Sequence, residues 1–249
     1  MLTTIAILIG LGLLIGLHEA SHMTVAKLFG IKVLKFSFGF GPLLLHKQIG
    51  ETSYELRLLP LGGFVQFFGE CPESRVPRGF FSISWWKRCL VAFAGPVMNL
   101  FLGFLLLLAL VMLYRGYPLI QGVKEAYQVS SYVTVVTTKW IGHSVVGQAH
   151  MKEMSGPVMV TKILIDAFKM GMDQFLFILS IISLSLGLFN LLPIPGLDGG
   201  HVFLYTIEGL TKRPLSAKVY KYWQTLGMIL LLSLIGFTIF SDVFKLLGK

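Results

Sequence analysis

The stretch "TTIAILIGLGLLIGLHEASHM", residues 3 to 23, joins an apolar run to two histidines and a glutamate without an intervening loop. An apolar run of about 20 residues is long enough to cross the hydrocarbon core of a bilayer as a helix. Ionisable side chains at that depth are unfavourable by roughly several kcal/mol unless they are paired or coordinated. The stretch therefore predicts a membrane helix that carries a chemical site.

The rest of the chain is also unusually apolar. Its 249 residues are 55% hydrophobic and 13% charged, and the mean hydropathy is +0.76, which is outside the range of an ordinary soluble domain. We predict an all-α membrane protein, a single polytopic domain over residues 1–249. The predicted transmembrane helices are four, at about residues 3–28, 89–113, 175–192 and 225–247.

The positive charge is concentrated in particular loops. Of the Lys and Arg residues, nine lie in residues 23–88, six in 114–174 and four in 193–224. The first and third of these loops are the densest in positive charge, so the positive-inside rule places them in the cytoplasm and both termini outside. Residues 114–174 then form an extracytoplasmic loop. The net charge of +9 is explained by these loops, and no nucleic-acid partner is predicted.

The first loop contains a strand-like region, residues 32–68. In "SYELRLLPLGGFVQFF", residues 53–68, apolar and charged side chains alternate before Pro60 and the pair Gly62 and Gly63 interrupt the pattern. We predict a small β-sheet or β-loop near the membrane face. On the pattern alone, an ordinary hairpin that covers this face is favoured over a substrate-holding strand.

The two histidines of the first span have the spacing of metal ligands. His18 and His22 are four residues apart, so both rings project from one helix face, and Glu19 lies about 100° round the helix, within reach of a water on a shared ion. This is an HExxH pattern, and two neutral imidazoles suit Zn²⁺. A catalytic zinc site usually has three protein ligands and one open position, so a third ligand is expected from another helix.

The third ligand is predicted in "NLLPIPGLDGGH", residues 190–201. Because His18 follows about 16 helical residues, or roughly 24 Å of rise, it lies near the inner surface, and the third span ends on that same side. Asp198 is the only acidic residue between Asp173 and Glu208. We therefore predict Asp198 as the ligand, with His201 as the alternative.

Two asparagines accompany these motifs. Asn190, at the foot of the third span, is a candidate to stabilise an oxyanion or hold substrate, and the alternative is a hydrogen bond between helices. Asn99, in the second span, is more typical of a hydrogen bond between helices than of catalysis.

The motifs HEASH, GPVMN (residues 95–99), LLPLGGFVQF (58–67) and NLLPIPGLDGG (190–200) together resemble the site-2 protease family of intramembrane zinc metalloproteases. The resemblance is closest to the bacterial regulator-of-sigma-E protease branch. It implies one Zn²⁺ per chain, held by His18, His22 and Asp198, with Glu19 as the catalytic base. It also implies that substrate is bound by Asn190, Pro193, Pro195, Gly62, Gly63 and Phe64.

The resemblance implies a reaction and a location. Family members hydrolyse a peptide bond within or near the transmembrane segment of a single-pass membrane protein, such as an anti-sigma factor or a signal peptide, in the bacterial inner membrane. The branch usually carries PDZ domains between the second and third spans, for which residues 114–174 leave no room. A catalytically inactive metal-binding scaffold and a metal transporter are the alternative functions, and the presence of Glu19 favours the protease because neither alternative needs a general base.

Overall fold

The computed structural model describes residues 2–145 and 156–247. The elements, in chain order, are α1 (Leu2–Leu28), β1 (Val33–Ile49), β2 (Thr52–Phe67), α2 (Trp85–Arg115), α3 (Leu119–Val145), α4 (Pro157–Met170), α5 (Met172–Asn190), α6 (Asp198–Thr211) and α7 (Ala217–Leu246). The prediction of a helical protein with one small sheet after the first helix is confirmed.

Among the described residues, four helices are long and apolar enough to cross a membrane: α1, α2, α5 and α7. This confirms the number and order of the predicted spans. Helix α5 ends at Asn190, slightly earlier than predicted, because Pro193 disfavours helical geometry in the residues before it. Helix α7 begins at Ala217 rather than near residue 225, since its polar first turns continue the helix beyond the apolar run.

The segment predicted as the loop 114–174 contains two helices, α3 and α4. The β-branched residues of α3 do not prevent helix formation, because one face of α3 is buried. Ala126 of α3 packs in a cluster with Leu107 of α2 and Leu184 of α5. A Cβ at Gly122 would lie 3.1 Å from Met112, which shows how closely α3 approaches α2. Tertiary packing has therefore decided the structure of this segment over propensity.

Strands β1 and β2 form an antiparallel pair joined by a turn at Gly50. Both strands bend, so that Phe36 of β1 is paired with Val65 and with Tyr54 of β2. The bend in β1 occurs at Gly39 and Gly41, whose φ angles of 89° and 83° favour glycine. The end of β2 is thereby held beside the first strand segment and against helix α1.

The chain divides into two compact units, and one of them comprises Leu8–Asn99 and Phe189–Met228. The core of this unit is aromatic: Phe81 packs edge-on against Tyr205 and Tyr220, and Phe80 stacks on Phe67 at the end of β2. This core connects the sheet, α6 and the start of α7. All of the side chains of the candidate site lie in this unit.

Candidate metal centre

Three predicted ligands meet within this unit. The Nε2 atoms of His18 and His22 lie 3.2 Å apart on one face of α1. Asp198, the first residue of α6, places Oδ2 3.1 Å from His18 Nε2 and Oδ1 3.5 Å from His22 Nε2. All three residues are largely buried, with His18 and His22 each 8% exposed.

These distances fit a tetrahedral metal ion. Metal–ligand bonds of about 2.0–2.2 Å place two ligand atoms of a tetrahedral zinc site about 3.3 Å apart. The three separations between the side chains of His18, His22 and Asp198 lie close to this value. Two imidazoles and one carboxylate also form a ligand set found in catalytic zinc sites, which keep the fourth coordination position open. Among the described residues, this is the one group of three such side chains.

Asp198 reaches the histidines through a tight turn. After α5 ends, the chain turns through Gly196, whose φ is 90°, and α6 begins at Asp198. A Cβ at Gly199 would overlap the carbonyl of Leu191, and one at Gly200 would overlap the carbonyl of Ile194. The two glycines after the aspartate are therefore required by the close approach of α6 to the preceding turn.

Helix α2 lies directly against the imidazoles. A Cβ at Gly95 would stand 2.5 Å from His18 Nε2 and closer still to His22 Nε2. Such distances are far inside van der Waals contact, so only glycine fits here. The backbone of α2 therefore closes one side of the candidate metal centre.

Helix α2 also orients the two imidazole rings. His22 Nδ1 lies 2.7 Å from the carbonyl oxygen of Val91, so Nδ1–H donates there and the lone pair of Nε2 faces Asp198. His18 Nδ1 lies 3.1 Å from the side-chain amide of Asn99. The amide atom nearest to His18 Nδ1 is the nitrogen Nδ2; turning the amide over by 180° places Oδ1 there instead, where it can accept from the Nδ1–H of a metal-binding His18. The hydrogen bond expected of Asn99 between helices is therefore made to a candidate ligand.

A cavity of about 300 Å³ opens beside the centre, and Glu19, His22 and Asp198 line it. Glu19 lies against β2, since a Cβ at Gly63 would be 3.0 Å from its Cγ. Gly63 and Phe64 also line the cavity, which places two of the predicted substrate-binding residues beside the centre.

The other predicted residues lie outside this cavity lining. Gly62 faces Phe40 of β1, whose ring a Cβ would overlap. Asn190 is half-buried at the end of α5, Pro193 is exposed and Pro195 is half-buried in the turn before α6. His201 is not a member of the ligand group; it lines the cavity, and its ring stacks on Tyr205.

One acidic residue of the cavity was missed from the sequence. Glu70 lines it, and the backbone N–H of Phe67 donates to Glu70 Oε1 at 2.7 Å. Burial raises the pKa of the Glu70 carboxyl, and this hydrogen bond partly opposes the rise. No spacing in the sequence indicates this position, because Glu70 lies beyond the strand and reaches the cavity only through the fold.

The fold is that of a protein with four helices able to cross a membrane among the described residues, and it brings together three side chains that could hold a metal ion. The sequence matches the family described as peptidase family M50 over residues 6–234, so the chain belongs to peptidase family M50, the site-2 protease family. The family-level prediction is thereby confirmed, and so are the membrane class and Zn²⁺ as the cofactor.

Related proteins agree with this assignment. A Clostridium perfringens protein is 27% identical over 95% of this chain and 97% of its own length. A Clostridium acetobutylicum protein is 28% identical over 95% and 96%, and a Campylobacter jejuni protein is 24% identical over 98% and 94%. Each is provisionally named a zinc metalloprotease. The first alignment runs over 324 residues, more than the 249 here, so that relative contains segments with no counterpart in this chain.

Proposed function

We propose that this protein is a zinc-dependent intramembrane endopeptidase, which hydrolyses a peptide bond within or near the transmembrane segment of a single-pass membrane protein. The observation that carries the proposal is the convergence of His18, His22 and Asp198 at tetrahedral spacing, with Glu19 on the adjoining cavity. A metal scaffold or transporter has no need of that glutamate.

In the proposed mechanism, His18, His22 and Asp198 would hold the zinc ion. Zn²⁺ bound there would supply Lewis acidity, polarising a carbonyl and lowering the pKa of water to around 7. Glu19 accepts a proton from the attacking water and delivers it to the amine nitrogen that leaves when the C–N bond breaks. Asn99 and the Val91 carbonyl keep the imidazoles oriented throughout.

The substrate has to be extended before water can reach its backbone, since a helix shields its own peptide bonds. We propose that the unwound segment adds to β2 as a further strand, beside Gly63 and Phe64. Among the described residues β2 pairs only with β1, and Gly63 lets a backbone approach Glu19 closely. Asn190 ends α5, and Pro193 and Pro195 lie in the turn that leads to Asp198; we propose that substrate contacts this turn as well.

The proposed location is the bacterial inner membrane, with both termini outside. The excess of Lys and Arg in residues 23–88 and 193–224 supports this orientation. It places the catalytic cavity near the cytoplasmic surface, and the proposed substrates are anti-sigma factors or signal peptides that have a single span.

Glu19→Gln tests the proposal directly. The variant keeps the size of the side chain and all three ligands, so we expect normal zinc content and a loss of cleavage of about 10²–10⁴-fold, the usual contribution of a general base. Cleavage is measured on a tagged single-pass reporter co-reconstituted in vesicles. Glu73→Gln is the matched control, since Glu73 is exposed. Wild-type cleavage by Glu19→Gln would refute the assignment of the base, and a zinc-loaded wild type that cleaves no such reporter would favour the scaffold.

A further inference from the structure

A second cavity, of about 440 Å³, shares no lining residue with the catalytic cavity. Its wall is formed by the residues before α2, the first turn of α2, the last turn of α6 and the turn that follows. The charged side chains in this wall are four cations and one carboxylate: Arg75, Arg88, Lys212, Arg213 and Glu208.

The one carboxylate in this wall, Glu208, is already paired with a cation. Glu208 accepts two hydrogen bonds from Arg88, at 2.7 and 3.0 Å, and both side chains are largely buried. The ion pairs of the described residues include none of Arg75, Lys212 and Arg213. Three unpaired cations around one cavity raise the local positive potential, which favours an anion there.

The wall also holds a buried donor without an acceptor. The Arg88 guanidinium lies over the rings of Phe81 and Tyr205, at 4.7 and 5.0 Å from their centroids. Its Nε–H is buried and has no hydrogen-bond partner among the described residues. A buried donor of this kind costs free energy unless an acceptor is supplied, which points to a ligand oxygen in the cavity.

The position of the cavity indicates the source of that oxygen. Trp85 lines the cavity and begins α2, one of the candidate spans, and α7, another, begins at Ala217 just beyond Arg213 and Pro214. Trp85 and Trp86 are 36% and 47% exposed. Exposed tryptophans at the start of a span are typical of the level of the lipid headgroups. We propose that this cavity binds the phosphate group of an anionic phospholipid.

The test compares two triple variants of the zinc-loaded full chain in neutral detergent. One variant removes the free cations of the cavity (Arg75→Gln, Lys212→Gln, Arg213→Gln). The control removes three exposed lysines elsewhere (Lys47→Gln, Lys218→Gln, Lys221→Gln). Phosphatidylglycerol, phosphatidylcholine and inorganic phosphate are titrated separately, bound ligand is counted by native mass spectrometry, and zinc content reports folding.

We expect wild type to bind phosphatidylglycerol in preference to phosphatidylcholine, with no competition from inorganic phosphate. A membrane-surface cation contributes about fivefold in affinity, so the cavity variant should bind about 100-fold more weakly, and the control should bind like wild type. If the triple variant loses zinc, Arg75→Gln alone should still weaken binding about fivefold.

Three results would overturn the proposal. Equal weakening in the two triple variants would mean diffuse attraction without a site. Equal binding of the two lipids would remove the role of negative charge. Binding of inorganic phosphate that displaces lipid would make free phosphate the ligand instead.

Discussion

Gly95→Ala should disable the metal centre through a single methyl group. The new Cβ would stand 2.5 Å from His18 Nε2 and closer to His22 Nε2, whereas contact between such atoms is comfortable at about 3.5 Å. Either α2 or the imidazoles must therefore move by about 1 Å, which greatly exceeds the roughly 0.2 Å that zinc–ligand distances tolerate.

The expected loss of zinc affinity follows from the displacement of both imidazole ligands. Disturbing the partners of metal ligands weakens metal binding by about 10–100-fold, and here both imidazoles are displaced, so we expect at least about 100-fold, or about 2.7 kcal/mol. Overpacking should also lower the free energy of unfolding by about 1–3 kcal/mol. Helix propensity acts in the opposite direction, because alanine favours a helix over glycine by about 1 kcal/mol.

Zinc affinity is measured by competition with a chromophoric chelator, alongside thermal unfolding. Gly236→Ala is the matched control, because Gly236 lies within the membrane-spanning helix α7 and a Cβ added there would meet nothing within 4 Å. It should bind zinc like wild type. Wild-type zinc affinity in Gly95→Ala would refute the inference that the backbone of α2 lies against the ligand atoms.

Three further changes test the surroundings of the centre. Asp198→Asn should lower zinc affinity by at least about tenfold in the same chelator competition, and unchanged affinity would move the third ligand elsewhere. Asn99→Ala should weaken zinc binding by about 10–100-fold, because it removes the partner of His18 Nδ1. Asn99→Asp should partly restore zinc binding, since its carboxylate can accept from His18 Nδ1–H. Equal loss in both variants would refute the role of Asn99 in orienting His18. Burial raises the pKa of the Glu70 carboxyl, so the folded state binds this proton more tightly than the unfolded state does. The resulting stabilisation of the folded state is fully present below the ordinary pKa of 4.5 and is lost as the pH rises through the raised pKa. Glu70→Gln should therefore raise the melting temperature at neutral pH but not below pH 4.5, and an equal effect at both would contradict this.

The sequence was informative wherever the signal is local. Apolar length identified the four spans, and the spacing of His18 and His22 requires only the geometry of one helix. The nomination of Asp198 needed one more step, the direction of the third span, and the structure does bring that carboxylate to the histidines.

The remaining features depend on contacts between distant segments. Gly95 and Asn99 touch the histidines because α2 crosses α1, and no spacing within α2 indicates which side chains it meets. Glu70 reaches the cavity only after β2 has folded back beside α1. Helix α3, in the segment predicted as a loop, depends on such contacts too, since Ala126 is buried against neighbouring helices.

The close approach of α2 has a kinetic consequence. The backbone at Gly95 lies against both imidazoles, so an ion cannot pass on that side. We expect the ion to enter and leave through the cavity that His22 and Asp198 line. The proposed substrate also binds in this cavity. A peptide bound in this cavity would block the exit of the ion. Chelators should strip the resting protein readily and leave the substrate-engaged protein loaded until product departs.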